Sequence, residues 1–392
     1  MSYDAITIDT QPVHANNLDL TSGLIGQLDQ YKDGLVEFII SDVNVREIHK
    51  ALTDKAKAPR EALSNAIKKG LANDQLTDAQ QTDLQNIHQA MAKPEEHAYK
   101  QLSDFLAKTG AEVIKAERVK HSLLLDKYFK NEPPFASKGK KNEFPDAIAL
   151  LSLEDWAVEN RKKILAVSND GDWKSFAEKS DHLDVIDDLG KAMSRLNTLA
   201  EETMPAARSV LRSISNKDKD TIDRLETNLV FAVENEAPYI EFDGSMPGEE
   251  DGASLSLISY EVEGLEDGTS DIDIVRVGTN TFAFRVPISI KALLYVEISF
   301  SIRDSIDKDY VPMGAKSIEQ EIEFDAFLLI KCSKFPDVGD DEDDQKMLYE
   351  IDDVQLLGAP SSIDIGYIDY SLAEDDYDFE LEKLYKEVAT DI

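Results

Sequence analysis

A single cysteine, Cys332, stands in 392 residues. One thiol cannot build a disulfide framework or a cysteine-rich zinc site, and its scarcity fits a reducing compartment. In an apolar strand it reads as core. The six histidines show no metal-ligand spacing. There is no phosphate-cradling GxxxxGK[ST] loop, no G-x-S-x-G nucleophile elbow, no zinc ribbon and no G-x-G-x-x-G dinucleotide fingerprint. No apolar run is long enough to span a bilayer, and Met1-Ser2-Tyr3-Asp4 lacks the basic n-region of a secretory signal. A soluble, cytoplasmic protein without membrane partners is therefore expected. Basic residues are also scarce: 42 Lys and Arg face 78 Asp and Glu, a formal charge of −36. The shortage is uneven, with a net −8 over residues 1–190 and −28 over the rest. A polyanion-binding protein ordinarily carries basic surface that displaces condensed counterions. The acidic half thus reads either as a solubility device, or as a region that repels substrate or binds a basic protein partner.

What the chain does have is a set of short acidic segments in its first half: Ala5-Ile6-Thr7-Ile8-Asp9-Thr10, Val45-Arg46-Glu47-Ile48, Glu143-Phe144-Pro145-Asp146-Ala147-Ile148 and Leu165-Ala166-Val167-Ser168-Asn169-Asp170-Gly171-Asp172-Trp173. The first and last read as buried strands ending in a carboxylate. Carboxylates at strand ends, joined by others from helix starts, can converge on one site. Such a cluster repels itself unless cations fill it, and hard divalent ions such as Mg²⁺ or Mn²⁺ prefer oxygen ligands of this kind. Metal-assisted attack on a phosphodiester is the chemistry they best support.

The periodicity organises the chain around these segments. Residues 5–9 predict a strand, Leu18–Tyr31 a helix, Leu35–Ile40 a second strand and Val45 onward a second helix. This β-α-β-α order predicts a parallel sheet covered by helices, an α/β fold. Residues 50–130 read as a helical insertion, with a capping box at Thr77-Asp78-Ala79-Gln80 and a stop at Gly110. Its role reads as packing against the sheet or clamping substrate. Ala111–Ile114 reads as a short strand or the start of a last helix ending before Pro133-Pro134. Pro145 suits the first turn of a helix that carries Asp146, and Lys162–Val167 and Leu183–Ile186 read as further strands. Residues 191–237 are expected to form a helical connector. From Pro238 the period changes to two, which predicts a β-rich, sandwich- or barrel-like domain over 238–392, with an acidic loop at Asp337–Asp344 and an acidic tail over 372–389.

In this order the acidic segments resemble the PIN-domain nucleases, in particular a bacterial PIN-like branch, over about residues 1–190. Ile6-Thr7-Ile8-Asp9-Thr10 matches the opening strand-Asp-Thr. Glu47 after Phe38-Ile39-Ile40-Ser41 matches the second acid, and Phe144-Pro145-Asp146-Ala147-Ile148-Ala149-Leu150-Leu151 the third. Ser168-Asn169-Asp170-Gly171-Asp172-Trp173 matches the strand-Thr/Ser-x-Asp-x-x-aromatic fourth. Gln11 departs from the Asn usual after Asp-Thr, and the stretch between the second and third acids is long. The resemblance implies a metal-dependent nuclease, an endoribonuclease acting on RNA rather than DNA. Together with the chemistry, it implies a Mg²⁺- or Mn²⁺-activated water and 3′-hydroxyl and 5′-phosphate products.

The expected catalytic residues are Asp9, Glu47, Asp146 and Asp170, and the expected metal ligands are the same four with Asp172. Asp170 and Asp172 flank Gly171 in a turn, so one of them is expected to serve as a turn former only. Glu143 reads equally as a ligand or a solvated loop carboxylate. Thr10 and Ser168 could hold a carboxylate or a water through their hydroxyls. Lys138, Lys140 and Lys141 could grip phosphate, whereas Arg161, Lys162 and Lys163 read as a solvated face. A bacterial toxin or defence effector, restrained by its own acidic half, is the expected setting. The alternative is a catalytically inactive PIN-like binding or assembly protein whose β-rich domain engages a partner. Both readings leave a homo-oligomer open.

Overall fold

The structure is a computed structural model that describes residues 3–72, 77–90, 93–135, 144–303, 310–336 and 347–369. Lys138, Lys140, Lys141, Glu143, the acidic loop at 337–344 and the acidic tail all lie outside the described residues. The chain divides into two compact units. One is Met1–Thr203 with Asp273–Val277, and the other is Met204–Ile272 with Gly278–Ile392.

The first unit opens with β1 (Ala5–Ile8), followed by α1 (Thr10–Ala15), α2 (Gly23–Gly26) and a 3₁₀ turn at Gln27–Tyr31. The continuous helix expected over Leu18–Tyr31 is broken for a local reason. Asn17, Leu18 and Gly23 take positive φ, and the Asp19 carboxylate accepts from Thr21 N, Thr21 Oγ1 and Ser22 Oγ. A short polar side chain that satisfies nearby donors in this way competes with the helical ladder. Next, β2 (Glu37–Ser41) feeds straight into the long α3 (Asp42–Ala72), then α4 (Asp78–Ala90) and α5 (Pro94–Thr109). The capping box before α4 is formed: Gln80 Oε1 accepts from Thr77 N at 2.9 Å, and Gln80 N donates to Thr77 Oγ1 at 3.4 Å. Pro94 sits in the first turn of α5, and Gly110 ends that helix at φ 67°, the left-handed conformation that glycine adopts without a Cβ clash.

Glu112–Ile114 is a strand, β3. It is followed by α6 (His121–Lys130), α7 (Phe144–Asn160), β4 (Ile164–Val167), α8 (Gly171–Ala177), β5 (Leu183–Ile186) and α9 (Leu189–Leu196). The five strands form one parallel sheet in the order β3-β2-β1-β4-β5. Every residue of β1 and β4 is buried, as an all-parallel sheet covered by helices requires. Lys162 and Lys163, expected on a solvated face, instead pair with Glu37 and Asp184, and their ammonium groups lie over the Trp156 and Tyr3 rings.

The second unit takes up most of α10 (Ala200–Ser215), then α11 (Lys219–Glu234), β6 (Tyr239–Gly244) and β7 (Gly248–Val262). The chain then returns to the first unit for β8 (Asp273–Val277). The second unit continues through β9 (Thr281–Arg303), β10 (Tyr310–Pro336), β11 (Met347–Leu357) and β12 (Ser362–Ile368). Its main antiparallel sheet runs β11-β10-β9-β7, and β12 pairs in parallel with β6. Period-two sequence becomes two-faced structure here. Ile288, Ile290, Ala292, Leu294, Val296 and Ile298 of β9 are all fully buried. On β10, Glu319, Glu321, Glu323 and Asp325 stand exposed. Cys332 is buried in the same sheet, and burial pushes its thiol up in pKa.

Candidate active site

The topology concentrates chemistry at one place. From β1 the chain moves to one side of the sheet through β2 and β3, then crosses to the other side through β4 and β5. The strand order therefore reverses between β1 and β4, and ligands of open α/β sheets bind beyond the carboxyl ends of strands at such a switch point. Ile8 pairs with Val167 at the ends of these two strands. The next residues, Asp9 and Ser168, are thus carried side by side: Asp9 N donates to Val167 O at 3.0 Å, and Ser168 Oγ donates to Asp9 Oδ2 at 2.9 Å. Because β2 lies against β1 and runs directly into α3, the first turns of α3 arrive over the same edge.

Asp9 is only 7 % exposed. Its Oδ1 accepts from Thr10 N at 2.6 Å, Thr10 Oγ1 at 3.3 Å and Asn44 Nδ2 at 3.2 Å. Burial raises its pKa, the Ser168 and Thr10 hydrogen bonds oppose that rise, and the charge of Asp170 adds to it; the net shift is upward. Asp146, in the first turn of α7, accepts from Trp173 Nε1 of α8 at 3.2 Å. Its carboxyl is pushed up to about 6, chiefly by burial, with the charges of Asp9, Asp170 and Asp172 adding and the Trp173 bond opposing. Glu47, half-buried on α3, is also raised, first by burial and then by the charges of Asp146 and Asp9, while Lys50 opposes. Carboxylates from four separate chain segments therefore act on one another through a shared, poorly hydrated space.

Asp170 and Asp172 reach this field from the start of α8. Asp170 caps that helix, its Oδ1 accepting from Asp172 N at 2.6 Å, and its own N donates to Ser168 Oγ at 3.0 Å. Gln11, the departure from the family pattern, accepts from Asn169 N at 3.1 Å and so ties the fourth motif to the first. The sequence reading missed Asn44 and assigned no role to Trp173. Asn44 is 1 % exposed, and its Oδ1 is buried without a hydrogen-bond partner. Its separation from Glu47 by three residues, on a helix that begins at a strand end, was the available signal.

Among the described residues no three His, Cys, Asp or Glu side chains are arranged to hold one metal ion between them. An all-protein cage is therefore a poor fit. The donors present do fit a hard cation that keeps several waters and takes one or two carboxylates: they are oxygen atoms, their mutual repulsion needs a counter-charge, and Asn44 Oδ1 is an orphaned acceptor beside them. A buried acceptor left unsatisfied costs about 1–3 kcal/mol, which a cation or its water would relieve. Among the described residues no helix is long and apolar enough to cross a membrane.

No curated protein and no solved structure shows a significant match to the chain. A family model described as PIN domain matches residues 6–173, from the second residue of β1 to Trp173 beside Asp146. The matched segment contains every carboxylate placed at the switch point, on the parallel sheet and helices described above, and this part of the chain is similar to PIN domains.

Proposed function

We propose that the first unit is a divalent-metal-dependent nuclease that hydrolyses phosphodiester bonds, with RNA as its substrate. PIN domains are generally nucleases, and the RNA preference rests on that likeness. The observation that carries the reading is the convergence of buried or half-buried carboxylates from separate chain segments, Asp9, Glu47 and Asp146, at one switch point, where burial raises the pKa of each, a pattern found at working sites. Asp9 and Asp146 would hold Mg²⁺ or Mn²⁺ with Asn44 Oδ1 and waters, and either Asp170 or Asp172 would bind one of those waters rather than the ion. A bound ion would supply positive charge that polarises the phosphoryl group and lowers the pKa of water. The chain's own residues do the rest. Ser168, Thr10 and Asn44 fix the orientation of Asp9, and Trp173 fixes that of Asp146. Glu47, half-buried and with raised proton affinity, would take the proton of the attacking water. Water adds to phosphorus as its proton passes to Glu47, the P–O3′ bond breaks, the departing O3′ takes a proton from solvent, and the products carry a 3′-hydroxyl and a 5′-phosphate.

Purified chain incubated with mixed RNA and DNA in Mn²⁺, beside Asp146→Asn, tests this reading. Metal-dependent RNA loss in the parent alone is expected; equal loss in both, or none in either, rejects it. A second reading draws support from the absence of a ready-made metal cage among the described residues and from the exposed acidic row on β10. In it, the PIN domain is a binding or assembly module, and the acidic β-rich unit engages a basic protein. Titration with Mn²⁺ separates the two, because a ligand that binds only the folded state raises its melting temperature.

A further inference from the structure

Beside the acidic cluster, α3 and α5 enclose a cleft of about 350 Å³. Its floor is Val45, Leu102 and Leu106, and its rim carries Arg46, His49 and Tyr99. That size lies at the small end of ligand sites and leaves room for a single base. Tyr99 is 69 % exposed, so a face of its ring is open to a stacking partner. Arg46 is also open to solvent, its side chain 77 % exposed while paired with Asp42 at 3.2 Å. In a chain with 78 acidic residues, none of the described lining residues of this cleft is acidic. The cleft thus combines an apolar floor, an exposed ring and basic side chains where most of the surface would repel a phosphate.

Its position relates it to the proposed chemistry. Val45, Arg46 and His49 interleave with Asn44 and Glu47 on the first turns of α3, turned about 100–160° around the helix axis from Glu47. A helix with its side chains is about 10–12 Å across, so a strand with one phosphate at the carboxylates can reach the cleft with a nucleotide a few positions further along. We propose that this cleft is a nucleobase subsite for single-stranded nucleic acid. The base stacks on Tyr99 over the floor of Val45, Leu102 and Leu106, and Arg46 and His49 face the adjoining phosphate. Stacking on an aromatic ring tolerates every base, so the subsite fixes strand position without reading sequence. This proposal rests on the nuclease reading for its substrate class.

The test uses the full chain in EDTA and labelled single strands of about 12 nucleotides, one of oligouridylate, one of oligothymidylate and one sugar–phosphate strand without bases. Tyr99→Ala is expected to weaken binding of the base-bearing strands about tenfold, while Tyr99→Phe keeps the parent's affinity. The baseless strand should bind parent and Tyr99→Ala equally. A control, Phe231→Ala, removes an equally exposed ring (70 %) of the second unit and should change nothing. The two base-bearing strands report whether the sugar matters. Unchanged affinity in Tyr99→Ala, or a baseless strand that binds the parent as tightly as the others, overturns the subsite. So does a parent that binds no strand. Cleavage in Mn²⁺ is scored separately: an idle parent that still shows the Tyr99 effect sinks the nuclease reading and keeps the subsite, and an active parent without that effect does the reverse.

Discussion

Asp146 carries two opposed demands, and they can be measured apart. Its carboxyl is pushed from 3.8 up to about 6 by burial and by the neighbouring carboxylates. Between those values the folded chain binds a proton that the unfolded chain releases. Stability from this group therefore falls as pH rises across that window, and the cost is complete above about pH 6. Asp146→Asn removes the cost and keeps an acceptor for Trp173 Nε1. Without divalent ions the variant is expected to melt higher than the parent at pH 7 and the same at pH 4; thermal scans across the range check this, and a constant offset at all pH values contradicts it. Added Mn²⁺ should raise the melting temperature of the parent only. Protons and cations compete for the same carboxylates, so cleavage should rise with pH through about 6. Asp9→Asn and Asp146→Asn should each lower the cleavage rate about a hundredfold or more with the fold intact. Asn44→Ala should lower Mn²⁺ affinity about 10–100-fold, read by titration of the metal itself.

At the scale of elements, α8 shows how a capping residue and a site residue can coincide. Asp170 satisfies a free donor at the helix start through Asp172 N, yet its charge is felt by both Asp9 and Asp146. Two substitutions separate these roles. Asp170→Ser keeps the cap and removes the charge, while Asp170→Ala removes both. Asp170→Ala is expected to cost about 1 kcal/mol of stability relative to Asp170→Ser, measured by denaturant unfolding, and both variants should lose cleavage. If Asp170→Ser cleaves like the parent, Asp170 is a cap only. The strand-end positions of Asp9 and Asp170 were legible in the sequence from a buried apolar run followed by Asp-Thr or Ser-x-Asp, although each acid also caps the helix that follows. The break at Asn17–Gly23 was not, since apolar spacing across Leu18–Tyr31 conceals an Asp19 side chain that takes up the helix's own donors. Asn44 stayed hidden because nothing in its residue type separates a buried amide that orients a carboxylate from an ordinary residue of a helix start.

At the scale of the molecule, the first unit is not a continuous piece of chain. β8, Asp273–Val277, belongs to it, and Ile274 and Val275 are fully buried. Gln30 Nε2 donates to Val275 O at 3.2 Å, and Arg276 pairs with Asp29 at 2.6 Å. No sequence period could have announced this, because a five-residue strand with three apolar residues, Ile274, Val275 and Val277, carries no address for the sheet or helix it will join. The consequence concerns stability. Burying two aliphatic side chains contributes about 1.5–3 kcal/mol each, a large share of what holds an ordinary domain together. A fragment ending at residue 190 or 203 lacks these contacts, so it should melt well below the intact chain and lose cleavage through unfolding rather than through any missing catalytic group. Within the intact chain, Val275→Asp buries an unpaired charge and should lower the melting temperature and the cleavage rate together. The residue lies far beyond the segment matched by the family model. Val275→Ile, which keeps an apolar side chain there, should leave cleavage near the parent's rate. If Val275→Asp melts and cleaves like the parent, β8 is dispensable to the first unit, and residues 1–203 alone should suffice for the chemistry.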